Sequence, residues 1–270
     1  MPLRLGSSFG SLLSEADRTL YGGWICSGSP VAAEIMAGAG LDWLLIDMEH
    51  APNGLESVLA QLHAVSGYSS TPVVRVPAGE RTIIKQVLDL GAQNILVPMV
   101  STPEEAKQVA AMAQYPPAGV RGIGSALARS GRWNRAEDYL QQAEQHISVF
   151  VQIETSRGVT NAAEIAAVDG IDGVFLGPSD LAASMGVIGQ QAHPDVADAV
   201  KRAFTGITEA GKPAGVNAFD PAAAGDYVDA GASWVLVGAD VALIARGSEK
   251  LAADFLPRSS TSAAEVPSSY

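Results

Sequence analysis

The sequence predicts a (β/α)8 barrel, that is, a TIM barrel of the α/β class, and three observations carry this prediction. Eight short apolar runs recur along the 270 residues, and most are followed by a helical pattern. The hydrophobic content of 47% is enough for one large core, and such barrels commonly take about 250 residues. No glycine-rich dinucleotide loop follows the first run, which disfavours the competing open, doubly wound sheet.

The apolar runs are the predicted barrel strands, in chain order. They are Gly23–Cys26, Trp43–Asp47, Val73–Val76, Asn94–Val97, Val149–Ile153, Gly173–Leu176, Ala214–Val216 and Trp234–Val237. Between them, Ser29 followed by proline indicates a helix start, and Thr102–Glu105 reads as a capping box. Gly91 is expected to end the helix through Leu88, and Gly211 the helix through Ala203.

Residues 1–257 are expected to form the barrel as a single domain. Two stretches of the chain do not fit the regular alternation of strands and helices. The connection Tyr115–Asn134 is rich in Gly, Pro, Arg and Ser, and loops of this length are usually functional or interfacial. The tail, residues 258–270, is rich in Ser and Ala, which predicts disorder. The helix before it, Val241–Phe255, is apolar on one face, and we expect it to pack on another subunit.

Charge and cysteine content exclude several classes of partner. The net charge of -12 argues against nucleic acid and against an anionic membrane surface. Cys26 is the only cysteine, so an intramolecular disulfide is impossible and a reducing compartment fits. No apolar segment is long enough to span a bilayer, and the first residues lack the pattern of a signal peptide. We therefore expect a cytoplasmic protein.

Two carboxylates, Glu154 and Asp180, follow the fifth and sixth predicted strands. Neighbouring strands of a parallel barrel deliver their last residues to one rim, so we expect the two acids to meet there. Carboxylate oxygens with open coordination positions suit a catalytic divalent cation such as Mg²⁺ or Mn²⁺. The alternative is that each is an ordinary surface acid in its loop.

The turn Gly177–Ser179 and the arginine Arg75 are candidate binding groups for an anion. Pro178 can begin a helical turn whose unpaired backbone N–H groups would bind an anion, although a plain capped helix start is an equal alternative. Arg75 closes an apolar strand, where an unpaired charge is costly. It is either a fork for substrate oxygens or the partner of a buried acid such as Glu49, Glu154 or Asp89.

His50 is the histidine best placed for proton transfer, because it follows the second strand beside two acids. The acid at the strand end, Asp47, is expected only to brace the loop. None of the five lysines lies in a predicted strand or at its carboxyl end, where a Schiff-base aldolase needs a desolvated lysine. Carbonyl chemistry should therefore depend on a metal.

Taken together, six segments resemble the HpcH/HpaI aldolase family, whose members are metal-dependent, class II pyruvate aldolases. The segments are Asp47–Asn53, Arg75–Pro77, Leu88–Gln93, Gly122–Arg129, Gln152–Thr155 and Gly173–Leu181. The resemblance extends from about Gly23 to Phe255. Within the family, Trp133–Arg135 and Asp138–Leu140 favour likeness to enzymes that cleave 4-hydroxy-2-oxoheptanedioate.

The resemblance implies roles for the residues already singled out. Glu154 and Asp180 match the family's metal ligands, for Mg²⁺, Mn²⁺ or Co²⁺. Arg75 matches the residue that contacts the pyruvyl oxygens, and Gln152 a polar residue near the bound pyruvate. The turn Gly177–Ser179 matches the cradle for the substrate carboxylate.

The resemblance agrees with the proton-transfer role of His50 and alone supplies the roles of Asp89 and Trp24. His50 matches the catalytic histidine, Asp89 its acidic partner, and Trp24 an aromatic residue near the substrate mouth. Two positions depart from the family pattern, since Met48 stands where glycine is common and Ser179 where alanine is common. Both border the expected pocket, so they bear on the choice of acceptor.

The implied activity is reversible cleavage of a 4-hydroxy-2-oxo acid to pyruvate and an aldehyde, for the heptanedioate succinic semialdehyde. Alternatives with the same chemistry are a 2-keto-3-deoxy sugar acid aldolase and a hydroxypyruvate aldolase. A further alternative is a carbon–carbon ligase that decarboxylates oxaloacetate, and a non-catalytic binding barrel is the last. The resemblance also implies a homohexamer, built as a dimer of trimers with exchanged C-terminal helices.

Overall fold

A computed structural model of the chain, which describes residues 5–256, confirms the predicted (β/α)8 barrel. All strands are parallel, each pairs with the next in sequence, and the last pairs with the first to close the barrel. The predicted tail and residue 257 lie outside the described residues. The strands are β1 Leu20–Ile25, β2 Trp43–Asp47, β3 Thr71–Arg75, β4 Asn94–Val97, β5 Ser148–Ile153, β6 Gly173–Leu176, β7 Ala214–Asn217 and β8 Ala232–Ala239.

Helices surround the strands and cover the barrel. They are α1 Phe9–Glu15, α2 Pro30–Ala37, α3 Leu55–Val65, α4 Arg81–Asp89, α5 Pro103–Ala113, α6 Tyr139–His146, α7 Ser156–Thr160, α8 Ala162–Ala166, α9 Pro178–Ser184, α10 Pro194–Glu209, α11 Pro221–Asp229 and α12 Asp240–Phe255. None of the helices in this part of the chain has the length and apolar character needed to cross a membrane.

The predicted strands and caps are confirmed, with differences at some ends. Ser29 caps α2, and Thr102 forms the capping box of α5. The helix before Gly211 runs to Glu209, beyond the predicted Ala203. It continues because Phe204 and the next residues on its inner face remain buried against the barrel.

An aromatic cluster fills the amino-terminal end of the barrel. Phe9 of α1 is fully buried there, and its ring lies 5.4 Å from Trp43 and 5.6 Å from Trp234, measured between centroids. The backbone N–H of Phe9 donates to Asn94 Oδ1 at 2.6 Å, which fixes α1 across the opening. Because this end is filled, space for a ligand remains at the opposite rim, where the strands end.

Two glycines make room for the two buried tryptophans. Gly22 of β1 is in register with Trp43 of β2, and a Cβ atom added to Gly22 would lie 2.2 Å from the indole ring. Gly215 of β7 stands in the same relation to Trp234 of β8, at 2.4 Å. Each indole therefore lies directly over the backbone of the neighbouring strand, which a side chain would prevent.

The C-terminal helix α12 leaves the barrel after its first residue. Asp240 is buried, but no residue from Val241 to Leu256 is. Its exposed side chains include several large apolar ones, namely Val241, Leu243, Ile244, Leu251 and Phe255. A helix that exposes such a face is compatible with the expected exchange between subunits, which stays a prediction.

We predict that Gly22→Ala lowers the free energy of unfolding by about 2 kcal/mol, the usual cost of overpacking a rigid core. The new methyl group would collide with the Trp43 ring, which is held on all sides. The matched control is Gly238→Ala, since Gly238 also lies in a strand but has no atom within 4 Å of its added Cβ. Urea unfolding of both variants tests this, and equal midpoints would contradict it.

Candidate active site

The cavity at the carboxyl-terminal rim of the barrel has a volume of about 630 Å³. It gathers most of the residues that the sequence singled out. Those lining it are Trp24, His50, Arg75, Gln152, Gly177, Ser179 and Asp180. Glu154 lies buried beneath Gln152, and Pro178 is buried at the start of α9, facing a neighbouring cavity.

A buried ion pair between Arg75 and Asp47 forms the base of the site. The two residues are in register at the ends of β3 and β2, and their side chains are only 2% and 1% exposed. Arg75 Nε and Nη2 donate to Asp47 Oδ1 and Oδ2, both at 2.8 Å. Asp47 also accepts the backbone N–H of Glu49 at 2.9 Å. A two-point fork of this kind fixes the guanidinium plane.

Asp47 therefore does more than brace the loop, the only role predicted for it from the sequence, because it also pairs with Arg75. The expected partners of Arg75 were Glu49, Glu154 or Asp89, and only Glu49 is an ion-pair partner, with Nη1 2.9 Å from Glu49 Oε2. The available signal was the register of β2 against β3, which places Asp47 beside Arg75. Strand register is not visible from hydrophobic periodicity alone.

Arg75 stays charged and faces the cavity. Burial by itself lowers the pKa of its guanidinium, but the hydrogen bonds and charge of Asp47, with Glu49, outweigh burial and raise the pKa above its ordinary value. Its Nη1 lies 3.5 Å from Gln152 Oε1, and its centre lies 4.7 Å from the Trp24 ring. The cation is thus held between an acid pair and an aromatic face, and lines the space where a substrate would lie.

Glu154 is a buried carboxylate with an unusually high pKa. Its pKa is raised to about 7, chiefly by burial and also by the negative charges of Glu49 and Asp180, while the hydrogen bonds from Gln152 and from the backbone of Met99 lower it. Gln152 Nε2 donates to Glu154 at 2.5 Å and the backbone N–H of Met99 donates at 2.7 Å. Met99 adopts a left-handed φ of 60°, an uncommon conformation that such a contact can hold.

Gly177 is required where the backbone of β6 turns past Glu154. A Cβ atom added there would lie 2.9 Å from Glu154 Oε2 and 3.0 Å from Gln152 Nε2. The following residue, Pro178, begins α9, and Asp180 lies exposed in its first turn. The turn thus brings Asp180 to the same rim as Glu154, as the sequence predicted from the order of the strands.

This group of acids is suited to a divalent cation. Glu154, Glu49 and Asp180 repel one another, since each of the other two raises the pKa of Glu154. A bound cation would relieve that repulsion. Within residues 5–256, no three His, Cys, Asp or Glu side chains are arranged to hold an ion together.

His50 lies at the mouth of the cavity. Its side chain is 63% exposed, and Nε2 lies 3.8 Å from Glu49 Oε2. Its backbone N–H donates to Asp47 Oδ2 at 3.4 Å, so the loop that carries the imidazole is tied to the buried ion pair. Glu49, one of the two acids that the sequence places beside His50, is the acid next to both His50 and Arg75.

Asp89 does not reach His50 within one chain, so the expected pairing of the two is not made inside a single subunit and stays a prediction. It ends α4, and helices run antiparallel to the strands, so this end lies at the amino-terminal side of the barrel. There Asp89 Oδ1 accepts from Arg121 Nη2 at 2.8 Å. Arg121, fully buried, comes from the long loop after α5, which is thereby held against α4.

The barrel fold and the polar residues at its carboxyl-terminal rim are typical of an enzyme. Comparison with known proteins shows the family to which the chain belongs. Residues 20–246 match the family described as HpcH/HpaI aldolase/citrate lyase. The chain belongs to this family, and the relatives it matches are named as aldolases, which are carbon–carbon lyases.

Two relatives are equally similar and carry different names. A hydroxypyruvate/pyruvate aldolase of Deinococcus radiodurans is 51% identical over 93% of this chain and 90% of its own length. A 4-hydroxy-2-oxo-heptane-1,7-dioate aldolase of Salmonella dublin is 51% identical over 89% of this chain and 92% of its own length. A solved structure of a family member from Burkholderia cenocepacia superposes with a TM-score of 0.88 at 40% identity, covering 92% of this chain and 99% of that one.

We predict that Arg75→Ala lowers the free energy of unfolding by about 3 kcal/mol, because Asp47 would be left as a buried, unpaired charge. The double variant Arg75→Ala with Asp47→Asn should recover part of this loss. Arg18→Ala is the matched control, since Arg18 makes the same two-point contact with Asp42 on the surface and should leave the midpoint nearly unchanged. Equal midpoint shifts for Arg18→Ala and Arg75→Ala would contradict the account.

Proposed function

We propose that this chain is a class II aldolase that reversibly cleaves 4-hydroxy-2-oxo acids to pyruvate and an aldehyde. The observation that carries the proposal is the rim itself, where Asp180 and the fixed guanidinium of Arg75 line one cavity and the buried carboxylate of Glu154 is hydrogen-bonded to Gln152, which also lines it. The names of the relatives agree with this chemistry. A cytoplasmic location stays part of the proposal and rests on the lone cysteine, Cys26.

Glu154 and Asp180 would hold a divalent metal, and Mg²⁺, Mn²⁺ and Co²⁺ are the candidates. When bound, such an ion supplies Lewis acidity, which favours negative charge on the oxygen at C2 of the 2-oxo acid. The raised pKa of Glu154 supports this assignment, because the neighbouring negative charges of Glu49 and Asp180 contribute to it and a bound cation would offset them.

Arg75 is proposed to stabilise the enolate that forms as the C3–C4 bond breaks. Its guanidinium already has its orientation fixed by Asp47, so little reorganisation accompanies the development of negative charge. Gln152 contacts both Arg75 and Glu154 and so links the cation to the carboxylate. The turn Gly177–Ser179 is proposed to bind the substrate carboxylate.

His50 is proposed to take the proton from the 4-hydroxyl group and to return it in the direction of synthesis. Its position at the mouth suits a substrate atom farther from the pyruvyl end, and its exposure allows proton exchange with water. Glu49 lies close enough to orient the imidazole. Trp24, over Arg75, forms part of the wall of the pyruvyl side.

Two candidate substrates are proposed. The first candidate is 4-hydroxy-2-oxoheptanedioate, which would give pyruvate and succinic semialdehyde, as the name of the Salmonella relative implies. The equally similar Deinococcus relative supports the second candidate, in which hydroxypyruvate is also a donor. Pyruvate-release and aldol-synthesis assays with both donors separate the two.

The assembly is proposed to be a homohexamer, a dimer of trimers that exchanges α12. The exposed apolar face of α12 supports this, since it needs a partner surface. Contact between copies would also give Asp89 a route to the His50 of a neighbour, which one chain does not provide. Sedimentation velocity tests the assembly, and a monomer at micromolar concentration would contradict it.

We predict that activity is strictly metal-dependent. EDTA should abolish pyruvate release from 4-hydroxy-2-oxo acids, and Mg²⁺, Mn²⁺ or Co²⁺ should restore it, because no strand lysine offers a Schiff-base route. The measurement is coupled pyruvate detection across a series of such acids. Full activity after chelation, or a pyruvate adduct trapped by borohydride, would overturn the proposal.

We predict that His50→Ala slows aldol cleavage by a factor of about 100 to 10,000, the usual range for a lost general base. Oxaloacetate decarboxylation should suffer less, because it takes no proton from a hydroxyl group. Both rates should be measured at saturating metal. Equal losses in the two reactions would show that His50 has a different role.

A further inference from the structure

Asp240 is a buried acid to which the proposed mechanism assigns no role. It is the first residue of α12, directly after β8, and its side chain is 3% exposed. Its Oδ1 accepts the backbone N–H of Cys26 at 2.8 Å, and its Oδ2 accepts that of Ser27 at 3.1 Å. Oδ1 also accepts the N–H of Val241 at 2.8 Å. Charge-assisted bonds from three N–H groups hold the backbone that supplies them.

The segment that Asp240 holds lies beyond the strand ladder. Ile25 is the last residue of β1 in register with β2. The next two residues, Cys26 and Ser27, are only half-buried, and Gly28 then turns the chain with a left-handed φ of 71°. Two successive N–H groups that donate to one carboxylate therefore continue the backbone pairing where the ladder has ended.

The pairing of β1 with β8 is irregular just before this point. Gly22 pairs with Leu236 and Trp24 pairs with Ala239, so β8 uses one residue more than β1 over this stretch. An extra residue interrupts the ladder and changes the direction of the side chains beyond it. The place of Trp24 therefore depends on contacts that join the two strand ends beyond the irregularity, and the carboxylate of Asp240 supplies them.

Both segments that Asp240 joins line the active-site cavity. Trp24 and Cys26 line it from the β1 side, and Val241 lines it from the first turn of α12. The Trp24 ring lies 4.7 Å from the guanidinium carbon of Arg75, measured to the ring centroid. Asp240 is the only buried residue of α12. Its hydrogen bonds therefore connect this wall of the cavity to the helix.

We propose that Asp240 is a positioning residue of the active site, whose carboxylate holds the end of β1 so that Trp24 keeps its place over Arg75. This inference rests on the proposed aldolase function. Asp240 acts through the backbone of Cys26 and Ser27 and touches no reacting atom. When its hydrogen bonds are lost, the indole shifts and the pyruvyl side of the cavity binds pyruvate less well.

The first test is amide hydrogen exchange, followed by mass spectrometry on a peptide that contains Cys26 and Ser27. The wild-type peptide should be protected, and Asp240→Asn should exchange about tenfold faster. The reason is that asparagine keeps one acceptor oxygen but directs an NH₂ donor at an N–H group. An unprotected wild-type peptide would refute the proposal, and this result does not require that the variant folds.

The second test separates a positioning role from a purely structural one. Exchange of the pyruvate methyl protons with deuterium, measured by NMR with Mn²⁺, reports on the pyruvyl side alone. Asp240→Asn should raise KM for pyruvate by up to about tenfold, the range of one cation–aromatic contact, and should change kcat less. Adding Asp240→Asn to Trp24→Ala should have no further effect, because Asp240 acts through Trp24. Independent losses in the double variant would rule this out.

Asp172→Asn is the matched control. Asp172 also accepts a backbone N–H, that of Val149 at 2.7 Å, but at the amino-terminal end of the barrel. Its replacement should leave both the Cys26 peptide and KM for pyruvate within about twofold of wild type. Equal effects of the two variants would disprove the proposal. If the wild-type protein exchanges no methyl protons, the proposed aldolase function fails and the role of Asp240 in it fails too, whatever the amide exchange shows.

Discussion

The buried ion pair between Asp47 and Arg75 is the constraint on which the rest of the site depends. It joins the ends of β2 and β3 and fixes the guanidinium that faces the cavity. It also holds the backbone of Glu49 and His50, so the loop with the proposed base takes its position from the same carboxylate. A single buried acid therefore positions a cation, a second acid and an imidazole, and its own charge is neutralised only while Arg75 is present.

Glycine residues have different roles at the two ends of the barrel. At the amino-terminal end, aromatic rings fill the interior, and glycines such as Gly22 let the indoles approach the neighbouring strands. At the other end, Gly177 lets the backbone approach a buried carboxylate, Glu154, where a side chain would fill the space. Glycine at the first end lets the core pack closely, and glycine at the second leaves room for the hydrogen-bonded side chains of Glu154 and Gln152.

Much of this could be predicted from the sequence, for identifiable reasons. Apolar periodicity and caps locate strands and helices, and the order of parallel strands brings Glu154 and Asp180 to one rim. The pairing of Asp47 with Arg75 could not be predicted, because it depends on register between strands. The position of Asp89 at the amino-terminal side of the barrel follows from the direction of α4, which a match of residues between sequences does not reveal. The hydrogen bond from Ser179 to Gln191 joins a helix to a loop, and no local pattern encodes such a contact.

The central claim is that Glu154 belongs to a cluster that binds a divalent cation, and calorimetric titration with Mn²⁺ at pH 6 and pH 8 tests it most directly. The pKa of Glu154 is raised to about 7 without metal, so at pH 6 a proton competes with the ion. The affinity of the wild-type protein should rise about tenfold between the two pH values, and Glu154→Gln should bind weakly at both. Equal wild-type affinities at the two pH values, or tight binding by Glu154→Gln, would contradict the account.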